Sequence, residues 1–110
     1  MSYNIDGTTI TLTRGDTLYC YISITDKDGS PYTPVEGDSV RFAVKSKYTD
    51  PQVLINKDIP IDTMILKLNP EDTKSMNFGK YVYDIQLTRA NGDVYTFITK
   101  SQFVLTEEVD

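Results

Sequence analysis

Two short motifs in this chain of 110 residues could carry chemistry on loops. The first, Arg14-Gly15-Asp16, is the tripeptide that integrins bind when it projects from an exposed loop tip. The same residues also suit a tight turn, because glycine lets the chain fold back and an aspartate side chain accepts hydrogen bonds from backbone amides. Matches of three residues arise often by chance, so we expect the turn.

Acidic side chains are the second group that could do chemistry. Asp26-x-Asp28-Gly29 begins like a calcium loop, but an EF-hand needs Gly at its sixth position and Glu at its twelfth. Pro31 and Gly37 occupy those positions, so the loop fails this test. Asp72 and Asp84 could act as a catalytic carboxylate pair only if the fold brought them into one deep pocket. We expect solvated turns with no catalytic, cofactor-binding or metal-binding residue, and a weak calcium site in the Asp-rich loops stays open.

The composition excludes several classes of function. Histidine is absent, which removes the Ser-His and Cys-His nucleophiles and the usual zinc sites. The single Cys20 alternates with Leu18 and Ile22, which favours a small buried hydrophobe. A net charge of −5 weighs against a nucleic-acid partner, and no apolar run approaches the roughly 20 residues that span a membrane. The chain starts without a basic and apolar leader, so we expect no signal peptide.

The chain is rich in residues that favour strands: 14 Thr, 10 Ile, 8 Val, 8 Tyr and 4 Phe, against 2 Ala. Apolar side chains recur with period two between turns that contain Gly, Asn and Pro. This alternation marks strands within the segments 8–13, 17–25, 40–45, 64–68, 81–88 and 94–106. The stretch 56–62 favours a loop or edge segment. We therefore expect one domain over residues 1–110, an immunoglobulin-like antiparallel β-sandwich of about seven strands.

One helical turn is predicted near residues 70–76, because Pro70 follows the capping residue Asn69 and acids occupy the first turn. This turn and the strand after it resemble the corner of an immunoglobulin-type sandwich, in which a tyrosine bonds back to the loop backbone. The resemblance implies a structural corner formed by Asp72, Gly79 and Tyr81. Antibody-type domains are excluded, because the chain has no Trp and no second Cys.

Tyrosines are the main candidates for binding. If Leu18 and Cys20 face the core, then Tyr19 and Tyr21 lie on the outer face of the same strand. These rings suit cross-strand pairing within the domain and suit an interface equally well, since tyrosine is enriched at interfaces. Tyr48 is a third candidate, with the loops Tyr48–Val53 and Asn56–Asp62 as further contact segments.

The order of the turn and strand motifs over some 95 residues resembles a known family. The motifs are Thr11-Leu12-Thr13-Arg14-Gly15-Asp16, Asp28-Gly29, Glu36-Gly37-Asp38-Ser39-Val40-Arg41-Phe42-Ala43-Val44-Lys45, Gly79-Lys80-Tyr81-Val82-Tyr83-Asp84-Ile85-Gln86-Leu87 and Asn91-Gly92-Asp93. They are similar to those of small β-sandwich proteins of phages and prophages of Gram-positive bacteria, in particular the N-terminal domain of the baseplate upper protein. The resemblance implies a non-catalytic structural part of a tail or baseplate that contacts other virion proteins or itself. It also implies assembly in the host cytoplasm and a final location in the virion.

Two other functions remain open at this stage. A carbohydrate-binding or adhesion module would need exposed rings in a planar row within a groove, whereas an assembly part would present a flat patch to another subunit. An enzyme would need converging carboxylates in a deep pocket, such as Asp72 with Asp84.

Overall fold

The computed structural model describes residues 3–6, 8–25 and 28–107 and shows an all-β sandwich-like fold, as the sequence predicts. Within these residues the chain forms ten strands and one short helix. The elements are β1 (Tyr3–Asp6), β2 (Thr9–Thr13), β3 (Leu18–Tyr21), β4 (Ile24–Thr25), β5 (Pro31–Tyr32), β6 (Ser39–Lys45), β7 (Ile55–Ile59), β8 (Ile65–Leu68), α1 (Pro70–Lys74), β9 (Gly79–Thr88) and β10 (Val94–Thr106).

The larger sheet has six strands in the order β1-β2-β10-β9-β6-β7. Its pairings are antiparallel except for β2 with β10, which run parallel with Ile10 opposite Phe103. The expectation of a wholly antiparallel sandwich is corrected at this pairing. The two strands come from opposite ends of the described chain, so no short hairpin forces them to run in opposite directions.

The second layer is narrower and consists of β3 paired with β8, while β4 and β5 form a separate pair of two residues each. The segment 17–25, expected as one strand, is divided after Tyr21. The ladder ends where the Ile22 N–H donates to the Met64 carbonyl at 2.8 Å. Met64, the residue before β8, has a positive φ of 54°. The backbone therefore turns away from β3 at this point, and the pairing of β3 with β8 ends.

The two layers close over one hydrophobic core. In β6 every second side chain is buried, and the same alternation continues in β9. Phe42 lies at the centre, with its ring centroid 5.2 Å from that of Tyr83 and 6.1 Å from that of Phe103. The smaller sheet contributes Leu18, Leu66 and Leu68, which are fully buried. Residues far apart in the chain therefore share one apolar interior, which is the main stabilising feature of the fold.

The remaining strands refine the expected boundaries. The first four residues of the segment 56–62 belong to β7, an edge strand whose Ile55 and Ile59 are buried. The long final segment is one strand, β10, with shifts of register between Thr96 and Ile98 and between Ile98 and Ser101. Such shifts bend a strand, which lets β10 follow the curvature of the sheet.

The short helix α1 connects β8 to β9 in the segment where the sequence predicts a structural corner. The Asn69 N–H donates to the Asp72 carboxylate at 2.7 Å, and the Lys57 ammonium lies 2.9 Å from the same carboxylate. Gly79 begins β9 with a φ of +143°, a conformation that glycine adopts without strain. The Tyr81 hydroxyl donates to the Asn77 carbonyl at 2.7 Å, which is the bond that the immunoglobulin-type corner implies.

Candidate interaction surface

The outer face of the β3–β8 sheet carries a small patch formed by Tyr19, Tyr21, Ile65 and Lys67, which we call the tyrosine face. Tyr21 is 71% exposed, Tyr19 48% and Ile65 39%. Because their neighbours along both strands turn inward into the core, these side chains must point to solvent. Tyrosine is enriched at protein interfaces, whereas lysine is depleted there.

Register places the members of this face opposite one another. Tyr19 pairs with Lys67, and Tyr21 pairs with Ile65. The Lys67 ammonium lies 5.3 Å from the centroid of the Tyr19 ring, within the range of a cation–π contact. Cross-strand pairing and exposure therefore occur together: Tyr19 packs against a neighbouring side chain, whereas Tyr21 presents most of its surface to solvent.

Tyr48 does not join the tyrosine face. It lies on the outer side of the larger sheet, in a shallow depression lined by side chains of β6 and β9, among them Lys45 and Asp84. Its hydroxyl donates to the Tyr83 carbonyl at 3.5 Å. Burial, and then the nearby charge of Asp84, raises the pKa of Tyr48. Tyr48 therefore belongs to the opposite surface of the sandwich from Tyr19 and Tyr21.

The two loop segments expected to make contacts lie beside the larger sheet. Val53 is 44% exposed, and Leu54 borders β7, where its N–H donates to the Val44 carbonyl at 2.7 Å. The segment 56–62 continues β7, which is an edge strand of the larger sheet. These residues form a second exposed region beside that sheet.

Cys20 is half-buried within β3, and its environment disfavours nucleophilic chemistry. Burial raises the pKa of the thiol, so the thiol stays protonated near neutral pH. Its hydrogen is directed to the Tyr21 carbonyl, with Sγ 3.8 Å from the oxygen. Cys20 behaves as the small hydrophobe that its position in the alternating pattern predicts.

The acidic residues are held in separate local structures. Asp72 pairs with Lys57 at the start of α1, whereas Asp84 lies on the outer face of β9 beside Tyr48. The Asp28 carboxylate accepts the Ser30 N–H at 3.0 Å, which lowers the pKa of Asp28, and Asp26 lies outside the described residues. Residues 3–6, 8–25 and 28–107 contain no group of three or more His, Cys, Asp or Glu side chains arranged to hold a metal ion.

The tripeptide at positions 14–16 packs against α1 and the residues that follow it instead of projecting from a loop tip. The Arg14 guanidinium lies 4.2 Å from the centroid of the Phe78 ring and donates to the Met76 carbonyl at 3.2 Å. The Gly15 N–H donates to the buried Thr73 hydroxyl at 2.9 Å. The Asp16 N–H closes the turn on the Thr13 carbonyl at 3.1 Å, as expected of a structural turn.

Sequence reasoning missed two members of the tyrosine face and one polar cluster. Ile65 and Lys67 could not be assigned to the face, because period-two alternation identifies neither the partner strand nor the register. In the polar cluster, the Tyr32 hydroxyl donates to the Asp38 carboxylate at 2.6 Å, and the Arg89 guanidinium lies 4.9 Å from the centroid of the Tyr32 ring. The only sequence signal for this cluster is the spacing of Tyr32 and Asp38 around a glycine turn.

Within the described residues the one helix, α1, has five residues, and no helix is long and apolar enough to cross a bilayer. Comparison of the chain with protein-family models, with curated proteins and with solved structures gave no significant match.

Proposed function

We propose that this chain is a non-catalytic structural component of a phage or prophage tail, of the baseplate type, which acts through protein–protein contacts and is located in the virion. The observation that carries the proposal is the tyrosine face, where an exposed ring and an exposed aliphatic side chain lie on the outer face of the β3–β8 sheet. The resemblance of the ordered motifs to small phage β-sandwich proteins supplies the biological setting.

The chemistry of the tyrosine face supports assembly. Tyrosine combines a large apolar ring with a polar tip, so it contributes contact area without needing complete burial of its hydroxyl. The face has a single charged member, Lys67, which already lies beside the Tyr19 ring. Low charge at the centre of a patch is the compositional feature that distinguishes interfaces from other protein surface.

The positions of the candidate catalytic carboxylates support an enzymatic function less well than the tyrosine face supports assembly. Asp72 is engaged by Lys57, and Asp84 lies on the outer face of β9. For a carbohydrate-binding module, the three candidate tyrosines would need to lie in one row, whereas Tyr48 lies on the opposite surface from Tyr19 and Tyr21.

The test is incorporation into particles. Phage particles are produced in a host in which the tagged chain replaces the untagged one, then purified and analysed for the tag. We expect the wild-type chain in the particles and at least a tenfold lower amount of the Tyr19→Ser, Tyr21→Ser double variant. Tyr48→Ser is the matched control, because it removes an exposed tyrosine from the other surface.

Two results would contradict the proposal. If purified particles lack the wild-type chain, the structural role is wrong. If Tyr48→Ser reduces incorporation as strongly as the double variant, the tyrosine face is not the contact. Far-UV circular dichroism and thermal unfolding of each purified variant establish that the comparison is made between folded proteins.

A further inference from the structure

The turn that joins β9 to β10 contains the one asparagine–glycine step in the sequence, Asn91-Gly92. Residues 89–94 are all exposed. Two backbone bonds close the turn, from the Arg89 N–H to the Asp93 carbonyl and from the Gly92 N–H to the Arg89 carbonyl, each 2.8 Å long. Exposed backbone bonds with few buried contacts around them open locally at little cost, so this turn opens without unfolding of the core.

The two residues at the tip carry groups that react with each other. A backbone nitrogen that attacks Cγ of the asparagine before it closes a five-membered ring. Both groups lie on neighbouring residues, so no encounter with a second molecule is required. Glycine offers the least hindered backbone nitrogen, and the position of a Cβ at Gly92 has no described atom within 4 Å. Attack on Asn91 is therefore sterically open.

The Asn91 side chain is held by the residue that follows the glycine. The Asp93 N–H donates to Asn91 Oδ1 at 3.0 Å, and Asn91 Nδ2 donates to the Asp93 carboxylate at 3.3 Å. When a nucleophile attacks Cγ, negative charge develops on Oδ1, and an N–H that already points to this oxygen stabilises that charge. The turn thus supplies the nucleophile, the carbon that it attacks and a donor to the developing oxyanion.

We propose that Asn91 is a site of spontaneous deamidation, at which the Gly92 nitrogen displaces ammonia and forms a succinimide that water opens to aspartate or isoaspartate. In the first step the bond from the Gly92 nitrogen to Cγ forms and the bond from Cγ to Nδ2 breaks. The proton of the Gly92 amide leaves with Nδ2 as part of the ammonia. Water then breaks one of the two ring C–N bonds: the bond at Cγ gives aspartate, and the bond at the backbone carbonyl carbon gives isoaspartate. The reaction involves no partner chain and is independent of the proposed function.

The closed turn restrains this reaction. In the folded chain the Gly92 N–H is donated to the Arg89 carbonyl, so the nitrogen attacks only after that bond breaks. The bond from Asp93 to the Asn91 side chain spans three residues and does not require the two strands to remain paired. Opening of the turn therefore sets the rate, and the folded chain reacts more slowly than the unfolded chain.

A second turn has the same local geometry but carries a carboxylate. The Ser30 N–H donates to Asp28 Oδ1 at 3.0 Å, and a Cβ at Gly29 would also have no described atom within 4 Å. Ring closure at an ionised carboxylate is slow, because the oxygen is a poor leaving group. The Ser30 N–H also lowers the pKa of Asp28, which keeps this carboxylate ionised. Asp28 is therefore an internal control for the leaving group.

Modification changes the charge and the length of the β9–β10 connection. One new carboxylate beside Asp93 takes the formal net charge from −5 to −6. Isoaspartate also inserts one additional carbon atom into the backbone of a turn in which Thr88 pairs with Val94. A reaction at one exposed residue thus alters the hairpin that joins two central strands of the larger sheet.

The experiment follows the formation of new carboxylates in the full chain. The protein is incubated at pH 8 and 37 °C in water enriched in oxygen-18, which enters each carboxylate that water creates, and is then digested and analysed by mass spectrometry. Fragmentation by electron transfer distinguishes isoaspartate from aspartate. Peptides that contain Asn56, Asn77 or Asp28 are the internal controls. Asn91→Gln is the matched variant, because glutamine keeps the amide but would have to close a six-membered ring.

We expect residue 91 to take up the label at least ten times faster than each control residue, with isoaspartate among the products, and to lose this uptake in Asn91→Gln. Uptake at residue 91 should be at least three times faster in 6 M guanidinium chloride. Uptake no faster than at the controls, or uptake without isoaspartate, would overturn the proposal. Equal rates in the folded and unfolded chain would overturn the restraint by the closed turn.

Discussion

The hydroxyl of Tyr81 donates a hydrogen bond of 2.7 Å to the backbone carbonyl of Asn77, four residues earlier in the chain. The bond ties the start of β9 to the segment that leaves α1. On the other side of this corner, Arg14 and Gly15 donate to Met76 and to the Thr73 side chain. The corner thereby joins the β2–β3 turn to the connection between the two sheets.

The first prediction concerns this corner. Tyr81→Phe removes the hydroxyl and leaves the ring, so we expect a loss of about 1 kcal/mol in the free energy of unfolding. Urea unfolding at pH 7 measures the change. Tyr21→Phe is the matched control and should shift the stability by less than about 0.5 kcal/mol, since it alters an exposed surface position. Equal effects of the two variants would contradict a stabilising corner.

The second prediction separates backbone strain from steric clash at glycine. A Cβ added at Gly37 would lie 2.8 Å from the Cβ of Ala90, whereas a Cβ added at Gly29 meets no described atom within 4 Å. Both glycines have positive φ, +95° and +89°. We expect Gly29→Ala to cost about 1 kcal/mol from strain alone and Gly37→Ala to cost clearly more.

The Gly37 clash can be relieved at its partner. Adding Ala90→Gly to Gly37→Ala removes the opposing methyl group, so it should restore part of the lost free energy of unfolding. The backbone strain of alanine at the positive φ of position 37 should remain. Ala90→Gly alone supplies the reference for a double-mutant cycle. A cycle with no coupling would show that the two Cβ positions do not meet in the folded protein.

The third prediction is a pH dependence caused by Tyr83. This side chain is 3% exposed, and its burial raises the pKa of the hydroxyl from 10 to about 12. Folding therefore favours the protonated form. The resulting contribution to the free energy of unfolding is complete below pH 10 and declines as the pH rises through 12. We expect the wild-type free energy of unfolding to fall in this window by up to about 1.4 kcal/mol per pH unit relative to Tyr83→Phe.

The measurement for Tyr83 is the urea midpoint of wild type and Tyr83→Phe at pH 7 and between pH 9 and 12. At pH 7 the variant should be less stable, because it loses the hydrogen bond from the Tyr83 hydroxyl to the Thr8 carbonyl. The two curves should converge above pH 10. Parallel curves across the whole range would show that Tyr83 does not titrate differently in the folded and unfolded chain.

The fourth prediction concerns Asp38. The hydroxyl of Tyr32 and then the Val35 N–H hold the pKa of this carboxylate below its ordinary value of 3.8. Carbon-13 NMR titration should therefore show Asp38 losing its proton at a lower pH in wild type than in Tyr32→Phe. Tyr48→Phe serves as the control and should leave the Asp38 titration unchanged. An identical Asp38 curve in Tyr32→Phe would contradict the bond.

The predictable part of the fold is local. The alternation in β6 and β9 identifies strands and their buried faces, because a strand repeats every two residues whatever its neighbour is. Pro70 after Asn69 marks the start of α1, since proline needs no N–H partner at the first helical position. The break after Tyr21 was not predicted, because it depends on the positive φ of Met64, the residue before β8.

The candidate surface was also predictable only in part, because it depends on which distant strands pair. Tyr19 and Tyr21 were assigned to one outer face by their spacing, whereas Ile65 and Lys67 joined that face through the register of β8. Tyr48 was grouped with them by residue type alone, and its position follows from contacts with β6 and β9. Residue type identifies candidates for contact, but only pairing between distant segments decides which candidates meet.

By itself, the sequence determined the all-β class, the inward face of most strands and the place of helix α1, because backbone geometry and alternation act over a few residues. Tertiary structure decided the parallel pairing of β2 with β10, the hydrogen bond from Tyr83 to Thr8 across 75 positions, and the pairing of β3 with β8. Hydrophobic burial is non-directional, so the apolar pattern requires a closed core without specifying which strands lie side by side.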